Sequence, residues 1–230
     1  MRGAPAVRNM PSMSHQHRIF IVDDHSVVRH GLATLLARVP ELRVSGEAAS
    51  YDEAIAGIAA QPPDLAVIDI TLKDRSGLDL IRELRAKLPD LKTLVLSMHD
   101  EMEYAERALR AGARGYVMKE NADDVLVEAI RAVLRGEVYV SPTASKRMVR
   151  NIAEGTAEPD TAGGIASLTD RERDVFERLG RGFTTKRIAD ELGLSARTVE
   201  VHRANIKRKL GCADAAQVLR EAVKFVEGRR

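Results

Sequence analysis

Residues 63–77 read "PDLAVIDITLKDRSG", and the fold turns on how this stretch is read. Leu65, Ala66, Val67, Ile68 and Ile70 form a short apolar run without alternation, the pattern of a strand buried on both faces. Asp69 interrupts the run near its end, and the polar loop 71–76 follows. A carboxylate at the end of a buried strand is costly unless something pairs with it. Such a strand needs helices on either side, and such a carboxylate needs partners.

Similar short apolar runs recur at "RIFIV" (18–22), "LRVSGE" (42–47), "KTLVLS" (92–97) and "GYVMK" (115–119). Between them lie longer segments of helical period. In "HSVVRHGLATLLARV" the apolar residues Val28, Leu32, Leu35, Leu36 and Val39 fall three and four apart. "MEYAERALRAG" closes on Gly112, where a helix C-cap is expected, and "ADDVLVEAIRAVLRG" opens acidic and stops at Gly136. Five strands alternating with helices predict a doubly wound α/β domain, a five-stranded parallel sheet covered on both faces.

A connecting turn and a short helix after Pro142 are expected over 137–153. "AEGTAEPDTAGGIAS" then reads as a linker. Beyond it the pattern is wholly helical, with four short helices punctuated by Gly or Ser. The expected organisation is a disordered tail over 1–16, an α/β domain over 17–136, a connecting helix and linker over 137–167, and a small all-α domain over 168–230. Apolar residues make up 44% of the 230, enough for a real core, although aromatics are only 3%. Cys212 is the single cysteine, so an internal disulfide is excluded and a reducing, cytoplasmic setting is expected. No apolar run approaches the roughly 18 residues that span a bilayer, and no membrane partner is expected.

A net charge of +2 hides an asymmetry. Residues 168–230 carry 15 Lys and Arg against 10 Asp and Glu, a net of +5, whereas the remainder carries 21 against 24, a net of −3. A basic last part points to a polyanionic partner.

In an open parallel sheet, ligands bind beyond the carboxyl ends of the strands. Strand 1 ends at Asp23 and Asp24, strand 3 at Asp69, strand 4 at Ser97 and strand 5 at Lys119. In the strand order 2-1-3-4-5, strands 1 and 3 are neighbours, so the three aspartates converge. Their mutual repulsion calls for a cation. Hard oxygen donors with a partly open shell suit Mg²⁺, which binds through a few carboxylates together with a phosphate. A carboxylate nucleophile there yields an aspartyl-phosphate, with Ser97 and Lys119 placed to hold the phosphoryl oxygens.

The motifs "VDDH" (22–25), "VIDITLKDRSGLDL" (67–80), "LSMHD" (96–100) and "GYVMKE" (115–120) occur in order, and over about 17–136 the chain resembles the receiver domain of bacterial response regulators. The resemblance implies that Asp69 accepts a phosphoryl group from a sensor histidine kinase. It implies that Asp23, Asp24 and Asp69 hold Mg²⁺, with the Thr71 backbone carbonyl as a further ligand. Ser97 becomes the switch hydroxyl, and Tyr116 the aromatic that rotates inwards as Ser97 moves. Many receivers carry a proline four positions after the phosphoacceptor; here Lys73 stands in that place.

The basic part contains "TTKRIADELGLSARTVEVHRANIKRKLG". Ile188, Ala189 and Leu192 give a first helix its inward face, Gly193 permits a tight turn, Leu194 tucks under, and Ser195 is a good N-cap for a second helix. Val199, Ile206 and Leu210 face inwards. Between Ser195 and Leu210 five basic residues stand against one acidic. This is helix-turn-helix grammar. With "LTDRERDVFERLGRG" before it, the segment 168–228 closely resembles the four-helix DNA-binding domain of the NarL/FixJ group, shared with LuxR-type regulators. The resemblance places the second helix in the major groove of double-stranded DNA. Arg197, Thr198, Glu200, Val201, His202, Arg203, Lys207, Arg208 and Lys209 are then the candidate contacts. Some members have lysine where this chain has Glu200; a glutamate there accepts from a cytosine amino group, whereas lysine favours guanine or phosphate. In the family the last helix, with Val218, Leu219, Ala222, Val223 and Val226 in a stripe, also supports a homodimer on paired half-sites.

The whole reads as a phosphorylation-activated transcription regulator rather than an enzyme. An aspartate-based phosphohydrolase usually has a second Asp two residues after its nucleophile, where this chain has Thr71. A ligand-gated regulator with the same DNA module has no use for the acidic strand ends.

Overall fold

The computed structural model describes residues 16–72, 75–154, 165 and 168–228. Nearly all of the expected tail, Lys73 with Asp74, and most of the linker lie outside the described residues.

The strands are β1 (His17–Val22), β2 (Leu42–Ala48), β3 (Leu65–Ile68), β4 (Lys92–Ser97) and β5 (Gly115–Met118), all parallel, in the order β2-β1-β3-β4-β5. Strand β3 stops at Ile68, earlier than the apolar run, so Asp69 stands just beyond the last ladder pair, with its N–H bonded to Val22 O at 2.8 Å. Side chains alternate across the pleat. Ile19, Ile21, Leu65, Val67, Leu94 and Leu96 join one apolar cluster; Phe20, Val22, Ala66, Ile68 and Val95 join the other. Helices α1 (Ser26–Leu36) and α5 (Ala122–Leu134) close the first face, and α2 (Tyr51–Ala60), α3 (Gly77–Lys87) and α4 (Glu101–Ala111) close the second. Helix α4 ends as expected at Gly112, whose φ of 120° lies in the region that favours glycine.

Gly77 opens α3 hard against the strand ends. A Cβ there would lie 1.9 Å from Asp69 O, so only glycine lets the loop fold back over the strand. Its N–H donates to Ile70 O at 2.7 Å, and Ser76 caps α3 through Leu78 N.

The connecting helix α6 (Pro142–Ala153) is capped by Ser141 with Pro142 in its first turn, where the missing N–H costs nothing. Just before it, Tyr139 extends the sheet: Tyr116 N donates to Tyr139 O at 2.8 Å and Tyr139 N to Arg114 O at 3.0 Å. This covers the β5 edge, which otherwise offers unpaired backbone groups.

The helical part comprises α7 (Asp170–Gly180), α8 (Thr185–Leu192), α9 (Ala196–Lys209) and α10 (Ala215–Glu227) around a separate core of Leu168, Val175, Phe176, Leu179, Ile188, Ala189, Leu192, Val199, Ile206, Cys212, Val218 and Ala222. Thr169 and Glu172 form a reciprocal capping box on α7. Gly193 adopts φ 63° and ψ 31°, the left-handed turn between α8 and α9, and Ser195 accepts from Thr198 N at 3.0 Å. Leu194 and Leu210 pack against this core from its edge, and Cys212 is a buried packing residue.

Candidate phosphoacceptor site and DNA interface

The parallel register delivers the strand-end residues to one pocket. Ligand atoms of Asp23, Asp24, His25 and Asp69 all lie within 4.8 Å of one another. Asp23 and Asp69 are almost fully buried. From β5, Lys119 reaches between them: its Nζ is 2.6 Å from Asp23 Oδ2 and 2.7 Å from Asp69 Oδ2. His25 Nδ1 lies 2.8 Å from Asp24 Oδ1, and His25 N donates to Asp23 Oδ1 at 2.8 Å. Thr71 N donates to Asp69 Oδ1 at 3.2 Å.

Burial pushes the Asp69 carboxyl above its ordinary range, against the pull of Lys119, and Asp23 pushes the same way. Burial works against the Lys119 ammonium too, but Asp69 and Asp23 outweigh it and hold the amine firmly protonated. One ammonium against three carboxylates leaves two negative charges in a largely buried space. Oxygen donors with that charge deficit fit a hard divalent cation.

Ser97 is fully buried at the end of β4, and its Oγ accepts from His99 N at 3.2 Å. Tyr116 is already turned inwards, 1% exposed, with its hydroxyl donating to His99 O at 2.9 Å. Burial holds that phenol well above its usual range. His99 Nε2 pairs with Thr71 Oγ1 at 2.9 Å. His99 and His25 were not singled out from the sequence. Both sit inside quoted motifs, "LSMHD" and "VDDH", but nothing in the spacing says that their rings turn towards the pocket.

On α9, Arg197, Glu200, Val201, Lys207 and Arg208 are exposed, while Thr198, His202, Arg203 and Lys209 are half-buried. Glu200 is not an idle acceptor: Thr185 Oγ1 donates to its Oε1 at 2.8 Å and Arg203 Nη1 donates to the same oxygen at 3.0 Å. Arg203 Nη1 also donates to Thr185 Oγ1 at 2.8 Å, so the three side chains form a closed triangle. Lys209 turns back to the buried Glu172, Nζ to Oε2 2.6 Å, and thereby ties the end of α9 to the cap of α7. Burial and the Arg171 guanidinium hold His202 below its ordinary pKa, so it meets a ligand as a neutral ring at pH 7.

Residues 19–131 match the model of the response regulator receiver domain, and residues 166–222 that of the bacterial regulatory proteins of the luxR family. The transcriptional regulatory protein UhpA of Escherichia coli (strain K12) is 39% identical over 202 residues, covering 88% of this chain and 95% of that one. The chain belongs to the NarL/FixJ family of response regulators. It is a DNA-binding transcription regulator of a two-component system, and its family comprises regulators rather than enzymes. Among solved structures, the response regulator is similar to a two-component response regulator of the LuxR family from Aurantimonas sp. SI85-9A1. That likeness has a TM-score of 0.55 at 36% identity and covers 62% of this chain and 99% of that one. It also shares its fold with RcsB from Salmonella enterica serovar Typhimurium bound to promoter rprA in the presence of the phosphomimetic BeF3⁻. There the TM-score is 0.54 at 22% identity, with 90% of this chain and 98% of that one covered.

Proposed function

We propose that Asp69 is the phosphoacceptor and that a sensor histidine kinase supplies the phosphoryl group. The observation that carries this is the Lys119 ammonium bridging two buried carboxylates at 2.6 and 2.7 Å. An Asp69 oxygen bonds to phosphorus as the P–N bond of a phosphohistidine breaks, and the departing imidazole takes up a proton. Asp23, Asp24 and Asp69, with the Thr71 backbone carbonyl, would hold Mg²⁺, which when bound offsets the charge that develops on the phosphoryl oxygens. Lys119 stays on Asp23 and turns its remaining donors to the phosphoryl group. Ser97 supplies the hydroxyl that follows it, and Tyr116 packs behind. No helix among the described residues is long and apolar enough to cross a membrane, and we assign the regulator to the cytoplasm, where its kinase domain partner and DNA both lie.

Helix α9 enters the major groove of promoter DNA in this reading. Arg197, Thr198, Glu200, Val201, His202 and Arg203 face base edges, and Lys207 and Arg208 meet phosphates. Lys209 contributes less than its charge suggests, because Glu172 already holds it. A homodimer on paired half-sites is supported by α10, where Leu219 is 45% exposed beside the buried Val218 and Ala222.

Selection of DNA sites by the full chain, with and without beryllofluoride and Mg²⁺, tests the whole reading. Enrichment of a two-part site only with beryllofluoride is the expected result; an unchanged selection would overturn it. Within that assay, Glu200→Lys changes the preferred bases at one position in each half-site, because it removes an acceptor and frees Arg203 from its triangle. A changed base contact is worth about 1–3 kcal/mol per position. An unchanged selected site would exclude Glu200 from base reading.

A further inference from the structure

The pocket at the strand ends holds one donor that is not an oxygen. His25 stands at the N-cap position of α1, with φ −90° and ψ 111°, where Ser, Thr, Asp or Asn usually caps the helix through its side chain. The His25 ring makes no cap. It turns to the carboxylates instead: Nδ1 lies 2.8 Å from Asp24 Oδ1 and 3.3 Å from Asp23 Oδ1. The backbone holds this turn, because His25 N donates to Asp23 Oδ1 at 2.8 Å. The Asp24 side chain is 9% exposed, and among the described residues no donor, His25 included, makes a hydrogen bond to its buried Oδ1. A buried carboxylate oxygen in contact with an imidazole nitrogen, yet without a hydrogen bond, is costly as it stands. It suits two neighbouring ligands of one cation. Ligand atoms about 2.1 Å from a metal and at right angles to each other lie about 3 Å apart.

We propose that His25 is a nitrogen ligand of this cation site and gives the pocket a second, closed mode around Zn²⁺. The consequence for phosphorylation rests on the phosphoacceptor reading above; the ligand assignment does not. Mg²⁺ takes oxygen donors in a near-octahedral shell and keeps several waters. It gains little from an imidazole, and it leaves His25 at the rim, where the ring is 65% exposed. Zn²⁺ takes imidazole nitrogen readily and is satisfied by four protein donors. Asp23, Asp24, His25 and Asp69 supply four, with ligand atoms within 4.8 Å of one another. Once all four are engaged, no position stays open for a phosphoryl oxygen, and Asp69 is held away from attack. The same pocket therefore accepts a phosphoryl group with Mg²⁺ and refuses it with Zn²⁺. The other histidine near the pocket, His99, is not one of the four donors, and its Nε2 is engaged with Thr71 Oγ1 at 2.9 Å.

Titration calorimetry of the full chain with Zn²⁺, and separately with Mg²⁺, tests the ligand. His25→Ala removes an exposed ring that makes no cap, so the fold is not at risk. It weakens Zn²⁺ binding roughly tenfold or more, since losing a partner one shell further out already costs about 10–100-fold. Its Mg²⁺ affinity stays that of the parent, whereas Asp24→Asn weakens both ions. In long-range proton–nitrogen NMR spectra the His25 Nδ1 signal moves to the metal-bound position with Zn²⁺ and not with Mg²⁺. Zn²⁺ added to the Mg²⁺-loaded parent suppresses labelling by acetyl phosphate, and His25→Ala resists that suppression. If His25→Ala binds Zn²⁺ as tightly as the parent, or the Nδ1 signal does not move, the ligand assignment is wrong. If both respond but Zn²⁺ leaves the labelling untouched, the nitrogen ligand stands and the closed mode falls. No labelling with Mg²⁺ alone would overturn the phosphoacceptor reading instead, and the binding and NMR results would still decide the role of His25.

Discussion

Asp69→Asn leaves a chain that takes no phosphoryl group from acetyl phosphate and Mg²⁺, yet is more stable than the parent at neutral pH. The first effect follows from chemistry: an amide does not attack phosphorus. Phosphoprotein gels of the two proteins check it, and labelling that persists at full stoichiometry would move the acceptor elsewhere. The second effect follows from burial. Burial raises the Asp69 carboxyl above its ordinary pKa, so the folded chain favours the protonated form more than the unfolded chain does. A raised carboxyl contributes its full share of stability below the unfolded value of about 4, and that share is lost as pH climbs through the folded value. At pH 7 the parent has therefore lost stability that it holds at low pH. Asparagine removes the titrating group, keeps an acceptor for Thr71 N, and leaves Lys119 with Asp23 at 2.6 Å. In metal-free buffer the thermal midpoint of Asp69→Asn lies above that of the parent at pH 7, and the gap closes as the pH falls towards 4. A lower midpoint at pH 7 would mean that Lys119 more than compensates Asp69 and that the pocket is not strained.

Gly180→Ala strongly destabilises the DNA-binding half and spares the receiver. Helices α7 and α10 cross so closely at Gly180 that a Cβ would lie 2.2 Å from Ala222 O, 2.7 Å from Ala222 C and 2.8 Å from Val226 Cγ2. The first two are backbone atoms in the middle of α10, which no rotamer change can move. The helices must separate, and with them the core of Phe176, Val218 and Ala222. Overpacking costs about 1–3 kcal/mol, occasionally more; with only backbone to displace, the upper end is expected. A small helical core of this kind holds on the order of 5 kcal/mol in total, so the loss removes most of it. Calorimetry of the full chain should show the transition of the DNA-binding half shifted to lower temperature, with phosphorylation of Asp69 intact. A DNA-binding half that melts as in the parent would refute the close-crossing argument.

Much of the site was legible in the sequence because strand-end chemistry is local. In a parallel sheet each strand delivers the residue after its last ladder pair to the same edge. Asp23, Asp69, Ser97 and Lys119 could thus be placed together once the five apolar runs and their order were read. The helix-turn-helix was legible for a similar reason: Gly193 carries the turn in its backbone and Ser195 the cap in its own side chain. What stayed hidden is non-local. Tyr104 and Asp174 are 70 residues apart, on α4 and α7. As sequence, one is an aromatic on an amphipathic helix and the other an acidic residue near a helix start, and each has an ordinary solvent-facing reading.

The same division applies to charge. The sequence counts Glu200 as an exposed acidic residue and Lys209 as a phosphate-seeking base, since it shows sign and spacing only. The fold commits Glu200 to Thr185 and Lys209 to Glu172, because side chains 15 and 37 residues away in the chain come within 3.0 Å of them; Arg203, three residues along the same helix, joins Glu200 as well. By itself the sequence determined the sheet, the helix-turn-helix and the carboxylates at the strand ends, all products of periodicity, capping and register. The packing of the elements shows which charges are already paired, and that His99 stands between the phosphoacceptor and α7. Pairings of that kind depend on how separate elements pack, which no local pattern encodes.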